Sequence, residues 1–250
     1  IDPADDLDTI GDVAIGDGRI IRLGGDIDDF TPDRVIDAEG QWVIPGLVDV
    51  CARLREPGAT RKADIASEAR AAAAGGITTL VMPPDTDPVI DTPSVVELIH
   101  HRAESAAGAR VVPLGALTRG LAGEALPGMA GLAAAGCPAV PAGGQPVTDA
   151  LVLRRALDYA ATFALPGLLT PVEPTLAGGC LNEGATATRL GLPGIPAAAE
   201  TAALGRQLAV AGATGARVHF GRLSSAEGVR ALTHALGDNR KLSADVAIHQ

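Results

Sequence analysis

Aromatic side chains are almost missing from this chain: its 250 residues include one Trp, one Tyr and three Phe, 2% of the total. That excludes a core built on aromatic anchors and leaves the packing to Ala, Val, Ile and Leu. Cysteine is also scarce. Cys51, Cys137 and Cys180 are unevenly spaced and form no CxxC pair, which excludes a disulfide framework and a Cys-rich zinc module and points to a reducing cytoplasm. Positive charge is short: 20 Lys and Arg stand against 30 Asp and Glu, a formal net charge of −10. Such a field disfavours nucleic-acid and anionic-membrane partners. No apolar run approaches the roughly 18–20 residues of a membrane span, and the opening IDPADDLDTI lacks the basic and apolar regions of a signal peptide. The chain therefore reads as soluble and cytoplasmic.

What is present is a large supply of small and aliphatic residues, 47% hydrophobic overall, and a length enough for one large domain or one and a half. The first forty residues differ from the rest. VAIGDGRIIRLGG alternates apolar and polar positions around Asp17-Gly18, a hairpin signal that marks a small β unit. From Trp42 onward strand-like runs alternate with helical stretches, as in a parallel α/β protein. Candidate strands fall at about 43–50, 77–82, 110–115, 137–140, 167–170, 216–220 and 241–246. RKADIASEARAAAA should stop at Gly75-Gly76, Thr92-Pro93 should open the next helix, and Thr148 and Ser224 or Ser225 are further candidate caps. The stretch EPTLAGGCLNEGATATRLGLPGIP holds so many Gly and Pro that it predicts a long irregular loop.

Seven strands do not close an eight-stranded barrel. The expectation is an α/β fold, a (β/α)8 TIM-type barrel with seven strands visible, and a small β-sandwich domain made from the N-terminal and a missing C-terminal segment. Residues 1–42 would be part of that β domain and 43–250 an incomplete amidohydrolase-type barrel. The eighth strand would then follow Gln250.

In such barrels the loops after the strands carry function. The richest is PGLVDVCARLREPG, residues 45–58. It resembles the dihydroorotase signature, in which a strand runs into Asp-x-His-x-His and then Leu-Arg-Glu/Asp-Pro-Gly. AAAAGGITTLVMPPDTDPVID, PLGALTRGL, GGQPV, EPTLAGG and RVHFGRLSS resemble dihydroorotase segments in the same order. The resemblance implies an amidohydrolase interconverting N-carbamoyl-L-aspartate and dihydroorotate in pyrimidine biosynthesis, with zinc generating hydroxide and polarising the carbonyl.

The residues that would hold that zinc are replaced. The two histidine positions of the signature are Cys51 and Arg53, and a guanidinium has no lone pair to give a cation. Arg53 then reads as a replacement positive charge in the metal cavity, and Cys51 as a structural, buried cysteine. The family's His-x-Glu-Asp after the fifth strand is Pro171-Val172-Glu173-Pro174; its bridging residue after the fourth falls in Val140-Pro141-Ala142-Gly143-Gly144; its sixth-strand His-Val/Ile-Ser is Arg222-Leu223-Ser224. Among the histidines, His100 and His101 sit mid-helix, where a solvated or packing role is the reading, while His219 and His249 lie at or past strand ends but lack an adjacent carboxylate in sequence. The expected metal set is none.

By the same resemblance Arg55 and Asp85 are vestigial substrate-binding residues. Arg55 stands where the family pairs with a substrate carboxylate, unless it bridges to Glu56 or another neighbour. Asp85, in Pro84-Asp85-Thr86-Asp87-Pro88, replaces an asparagine and would set a negative charge against an anionic substrate. No catalytic residue is expected. The reading is a pseudoenzyme with no cofactor, acting as structural partner of aspartate transcarbamoylase in a hetero-oligomer; GALTRGLAGEALPGMAGLAAAGC is similar to the inactive members of the family. The alternative is an active dihydroorotase or related cyclic-amide hydrolase with an atypical zinc site drawn from Cys51, Glu173, His219 or His249. A third is a small-molecule sensor that keeps Arg55.

Overall fold

The computed structural model describes the chain apart from residues 26, 28, 29, 145, 238–240 and 248–250. It divides into two compact units, Ile1–Leu47 and Val48–Gln250.

The first unit contains the expected hairpin, β1 (Asp12–Gly16) antiparallel to β2 (Arg19–Gly24). Asp17 and Gly18 both have positive φ, 51° and 70°. That is the two-residue turn whose twist matches the strands, and Asp-Gly tolerates it. The register shifts between Ala14 and Ile15.

In and at the edge of the second unit seven strands follow one another in two sheets. They are β3 (Leu47–Asp49), which begins at the unit boundary, β4 (Ile77–Met82), β5 (Arg110–Pro113), β6 (Val140–Pro141), β7 (Gly167–Leu169), β10 (Val218–Phe220) and β11 (Leu242–Ala244). Hydrogen bonding links β3-β4-β5 and, separately, β6-β7-β10-β11. The two sets are joined just past β5, where Gly115 N donates to Ala139 O at 3.2 Å and Leu117 N to Pro141 O at 2.9 Å. All seven lie within or beside the expected positions, and among the described residues they do not close into a barrel.

Strand parity sorts the side chains. Leu80 and Met82, Val218 and Phe220, and Gly167 and Leu169 face the helices and are buried. The intervening Val81, Leu168 and His219 take the opposite face and are only partly covered. The helix-facing core has two clusters. One gathers Ile65, Ala69, Leu80, Met82, Val96 and Ile99; the other gathers Val140, Leu153, Leu157, Leu169, Leu204 and Phe220. Each fully buried aliphatic side chain contributes roughly 1.5–3 kcal/mol. Small residues let the layers approach closely: a Cβ on Gly108 would lie 2.5 Å from the Ala69 carbonyl, which accepts from Ala109 N at 3.0 Å.

The helices stop and start largely as their caps dictate. α1 (Ile65–Ala74) opens with a reciprocal Asp64–Ser67 capping box and ends at Gly75. α2 (Pro93–Glu104) has Thr92 as N-cap and Pro at its first position. α3 is a short helix, Met129–Ala134. α4 (Ala150–Thr162) is capped not by Thr148 but by Asp149, whose carboxylate accepts from Leu151 N and Val152 N. The longer acceptor reach of an ionised carboxylate wins over the hydroxyl one residue earlier.

The segment expected to be irregular, 173–196, contains elements: β8 (Leu181–Asn182) parallel to β9 (Gly194–Ile195), and α5 (Ala185–Leu190) between them. Gly184 and Gly191 sit at the ends of α5, with Gly191 in the left-handed region at φ 65°. Glycine marks boundaries here and does not dissolve the elements. α6 (Ala198–Gly212) and α7 (Ala226–Leu236), the latter capped by Ser225, complete the helical layer.

Candidate functional site

The C-terminal ends of the parallel strands bring most of the singled-out residues to one side of the second unit. After β3 the chain passes Cys51, Arg53 and Arg55; after β4 it passes Asp85. Arg53 Nε donates to Asp85 Oδ2 at 2.6 Å. The Asp85 hydrogen bond raises the Arg53 guanidinium above its ordinary value, against a smaller opposing effect of burial. Neither charge is free. Arg53 is half of an ion pair, and Asp85 is compensated by it.

Cys51 is exposed, contrary to the expected buried role. It lies past β3, an edge strand that has a hydrogen-bonded neighbour on one side only among the described residues. The buried cysteine is Cys137, whose thiol burial pushes up to about 12. The proposed Arg55–Glu56 bridge is not formed. Arg102 takes Glu56 at 2.5 Å, and the other Glu56 oxygen accepts from Ile65 N at 2.9 Å, so the carboxylate is committed to α1 and α2. Arg55 is held at φ 66° with its guanidinium unpaired among the described residues, beside a cavity of about 370 Å³ shared with Arg53 and Glu68.

A second network fills the ends of β7, β10 and β11. His219 Nε2 contacts Asp245 Oδ2 at 2.8 Å and His219 Nδ1 contacts Ser243 Oγ at 2.9 Å. The other Asp245 oxygen accepts the Arg222 backbone N–H at 2.7 Å. Arg222 Nη2 reaches across to Thr170 Oγ1 at 3.1 Å. Burial alone would raise the Asp245 carboxyl; the His219 hydrogen bond, the Arg222 amide and the nearby positive charges outweigh it, and Asp245 lies below the usual 3.8. Arg222 carries this load in the left-handed region, φ 62°, a conformation that a non-glycine residue adopts only when its surroundings hold it.

Beneath these loops sits Glu200 on α6, a buried carboxylate that sequence reasoning missed. It accepts from Ser224 N and Oγ at 2.7 and 2.8 Å and from Ser225 N and Oγ at 3.1 and 2.5 Å. Gly228 leaves room for it, since a Cβ there would come 2.0 Å from Glu200 Oε1. The available signal was an isolated Glu among alanines in AAAETAAL. Asp245, Thr170, Ser243 and Gln207 were missed for the same reason: their significance lies in which strands become neighbours.

The donor chemistry does not fit a zinc ion at the family's positions. Arg53, Pro171 and Arg222 have no side-chain lone pair to offer, and Val140 to Gly144 contain no titratable side chain. The alternative donors are engaged or dispersed. Both ring nitrogens of His219 are occupied, and Glu173 turns to Thr175, whose hydroxyl and amide hold its carboxyl below the usual range. His249 lies outside the described residues. Among those described, no three His, Cys, Asp or Glu side chains are grouped to hold a metal. His100 and His101 lie on α2 and His234 on α7, away from the strand ends. No helix among the described residues is long and apolar enough to cross a membrane.

Comparison with known proteins agrees with the architecture. A family described as "Dihydro-orotase-like" matches residues 40–228. A "Dihydroorotase-like protein" of Pseudomonas aeruginosa is 47% identical over the whole chain, and one of Pseudomonas putida 45%. A "Dihydroorotase" of Syntrophobacter fumaroxidans is 42% identical. The chain spans 58–59% of the length of these relatives. The L-hydantoinase of Arthrobacter aurescens superposes with a TM-score of 0.75 at 21% identity, over 94% of this chain and 54% of that one. A D-hydantoinase from Bacillus sp. AR9 gives 0.72 at 20% identity, over 94% and 53%. These two likenesses establish a shared α/β fold.

Proposed function

This chain belongs to the dihydroorotase-like family, and from that premise we propose that it is a non-catalytic member acting in pyrimidine metabolism as a structural partner of aspartate transcarbamoylase. The observation that carries the proposal is the Arg53–Asp85 ion pair at 2.6 Å. One of its members stands at a family ligand position and the other at a substrate position, so attraction between the two side chains occupies space that chemistry would need open. The Arg222–Asp245–His219 network supports the same reading at the opposite strands. A water activated for attack on an amide carbonyl needs a Lewis acid or a free base within hydrogen-bond reach. In this reading cations stand at the ligand positions, and the His219 imidazole is bonded at both nitrogens.

Completion of a closed (β/α)8 barrel, and of a β-sandwich with the hairpin unit, belongs to the same proposal. The retained core would then serve a scaffold's purpose, offering a rigid surface to the transcarbamoylase.

The test is elemental analysis of the untagged full-length protein, paired with dihydroorotate hydrolysis in added zinc and gel filtration with aspartate transcarbamoylase. The expected result is sub-stoichiometric metal, no turnover and co-elution. One or two zinc ions with turnover that chelation removes would overturn the loss of catalysis. Separate elution over a range of concentrations would overturn the partnership.

A further inference from the structure

Where β10 meets β11, a hydroxyl, an imidazole and a carboxylate form one chain of hydrogen bonds that the proposed function does not use for chemistry. Ser243 lies on β11 and Asp245 just past it, two residues on, so their side chains leave the same face of the strand. His219 stands opposite Ser243 in the register of the parallel pair. An imidazole laid along that face reaches both neighbours: its Nδ1 lies 2.9 Å from Ser243 Oγ and its Nε2 lies 2.8 Å from Asp245 Oδ2.

The chemistry of the three groups decides which of them donates. Asp245, held below the usual carboxylate range, is ionised at neutral pH and can only accept. In the neutral imidazole Nε2 therefore carries the proton, and the lone pair of Nδ1 accepts from the Ser243 hydroxyl. The carboxylate is fixed in turn, because its Oδ1 accepts the Arg222 backbone N–H at 2.7 Å. Ser243 is exposed among the described residues, whereas the His219 and Asp245 side chains are 27% and 33% accessible. The hydroxyl end of the chain is its open end.

The geometry points to Ser243 as an activated nucleophile that takes the acyl group of a neutral ester, with His219 as its base and Asp245 as the residue that positions the imidazole. Ser243 Oγ bonds to the ester carbonyl carbon as its proton passes to His219 Nδ1; the bond from that carbon to the leaving oxygen then breaks, and the departing alcohol takes the proton from Nδ1. Such a set is defined by roles and geometry, whichever ring nitrogen serves which partner. The Asp245 charge beside the ring disfavours an anionic acyl group. The step needs neither zinc nor dihydroorotate, so it stands apart from the loss of the family's reaction. His219 has no lone pair left for a water, and the hydroxyl that occupies that lone pair is the group made reactive.

The assay is release of p-nitrophenolate from p-nitrophenyl acetate by the untagged full-length protein in the presence of a chelator. A positioned general base contributes about 10²–10⁴-fold, so release should exceed that of Ser243→Ala by at least about a hundredfold. Asp245→Asn should lower kcat by at least about a hundredfold with KM little changed, because the amide NH2 turned to Nε2 moves the ring proton to Nδ1 and removes the acceptor. If Ser243→Ala does not fold, a fluorophosphonate probe on the unaltered protein decides, and its adduct should map to Ser243 by peptide mass spectrometry. Release undiminished in Ser243→Ala, kcat undiminished in Asp245→Asn, an adduct elsewhere or none, or release seen only without the chelator would each overturn the assignment. Zinc content, dihydroorotate turnover and co-elution with the transcarbamoylase are separate readouts, so failure here is distinguishable from failure of the proposed function.

Discussion

Replacing Glu200 by Leu should be among the most damaging single changes in the chain, although it exchanges a carboxylate for an apolar group inside the core. The carboxylate receives four donors, from the amides and hydroxyls of Ser224 and Ser225. The two hydroxyls can turn to water, because Ser224 is exposed and Ser225 partly so. The two amides are fixed by the backbone that leads from β10 into α7 and cannot turn. At about 1–3 kcal/mol for each stranded amide, the loss is roughly 2–6 kcal/mol, centred near 4. For a domain of this size that shifts Tm by about 8–16 °C. Glu200→Gln keeps one acceptor oxygen and sets an NH2 against the remaining donors, so it should fall between the two, at about half the loss. Thermal or urea unfolding of the three proteins gives the answer. A Leu variant within about 1 kcal/mol of the parent, or a Gln variant worse than Leu, would refute the reasoning that Glu200 is held by its acceptor role.

The Asp245 carboxyl, depressed in the folded state, contributes stability that is fully present above its unfolded value and disappears as pH falls through the folded one. Unfolding followed from pH 6 down past the usual 3.8 should show that loss, and Asp245→Asn should flatten the acid limb of the curve. Thiol labelling of the native protein should modify Cys51 and Cys180 rapidly and spare Cys137, whose thiol is pushed up to about 12 by burial; three fast thiols would contradict its placement. Arg53→Ala should cost less than about 1 kcal/mol, because both partners are partly exposed, with side chains 38% and 29% accessible; a loss above about 2 kcal/mol in urea titration would mean the pair is more deeply screened from water than its exposure indicates.

Periodicity and punctuation determined much of this protein in advance. Alternation of strand and helix placed all seven strands, Asp17-Gly18 placed the hairpin, and Gly75 and Thr92-Pro93 placed helix ends, because these depend on local backbone preferences that each residue carries with it. That Arg53, Pro171 and Arg222 offer no side-chain donor to a metal was equally legible, since whether an atom has a lone pair does not depend on the fold. The sequence was misleading where competition between neighbours decides. Asp149 took the cap from Thr148, Arg102 took Glu56 from Arg55, and short elements formed between the glycines of residues 173–196. What only the tertiary structure decided is who faces whom. Asp85 meets Arg53 across 32 positions of chain, His219 meets Asp245 across 26, and Glu200 meets Ser224 across 24. Charges and hydrogen-bonding groups act over a few ångströms, and distances of that size are set by strand order and register, which no local pattern encodes.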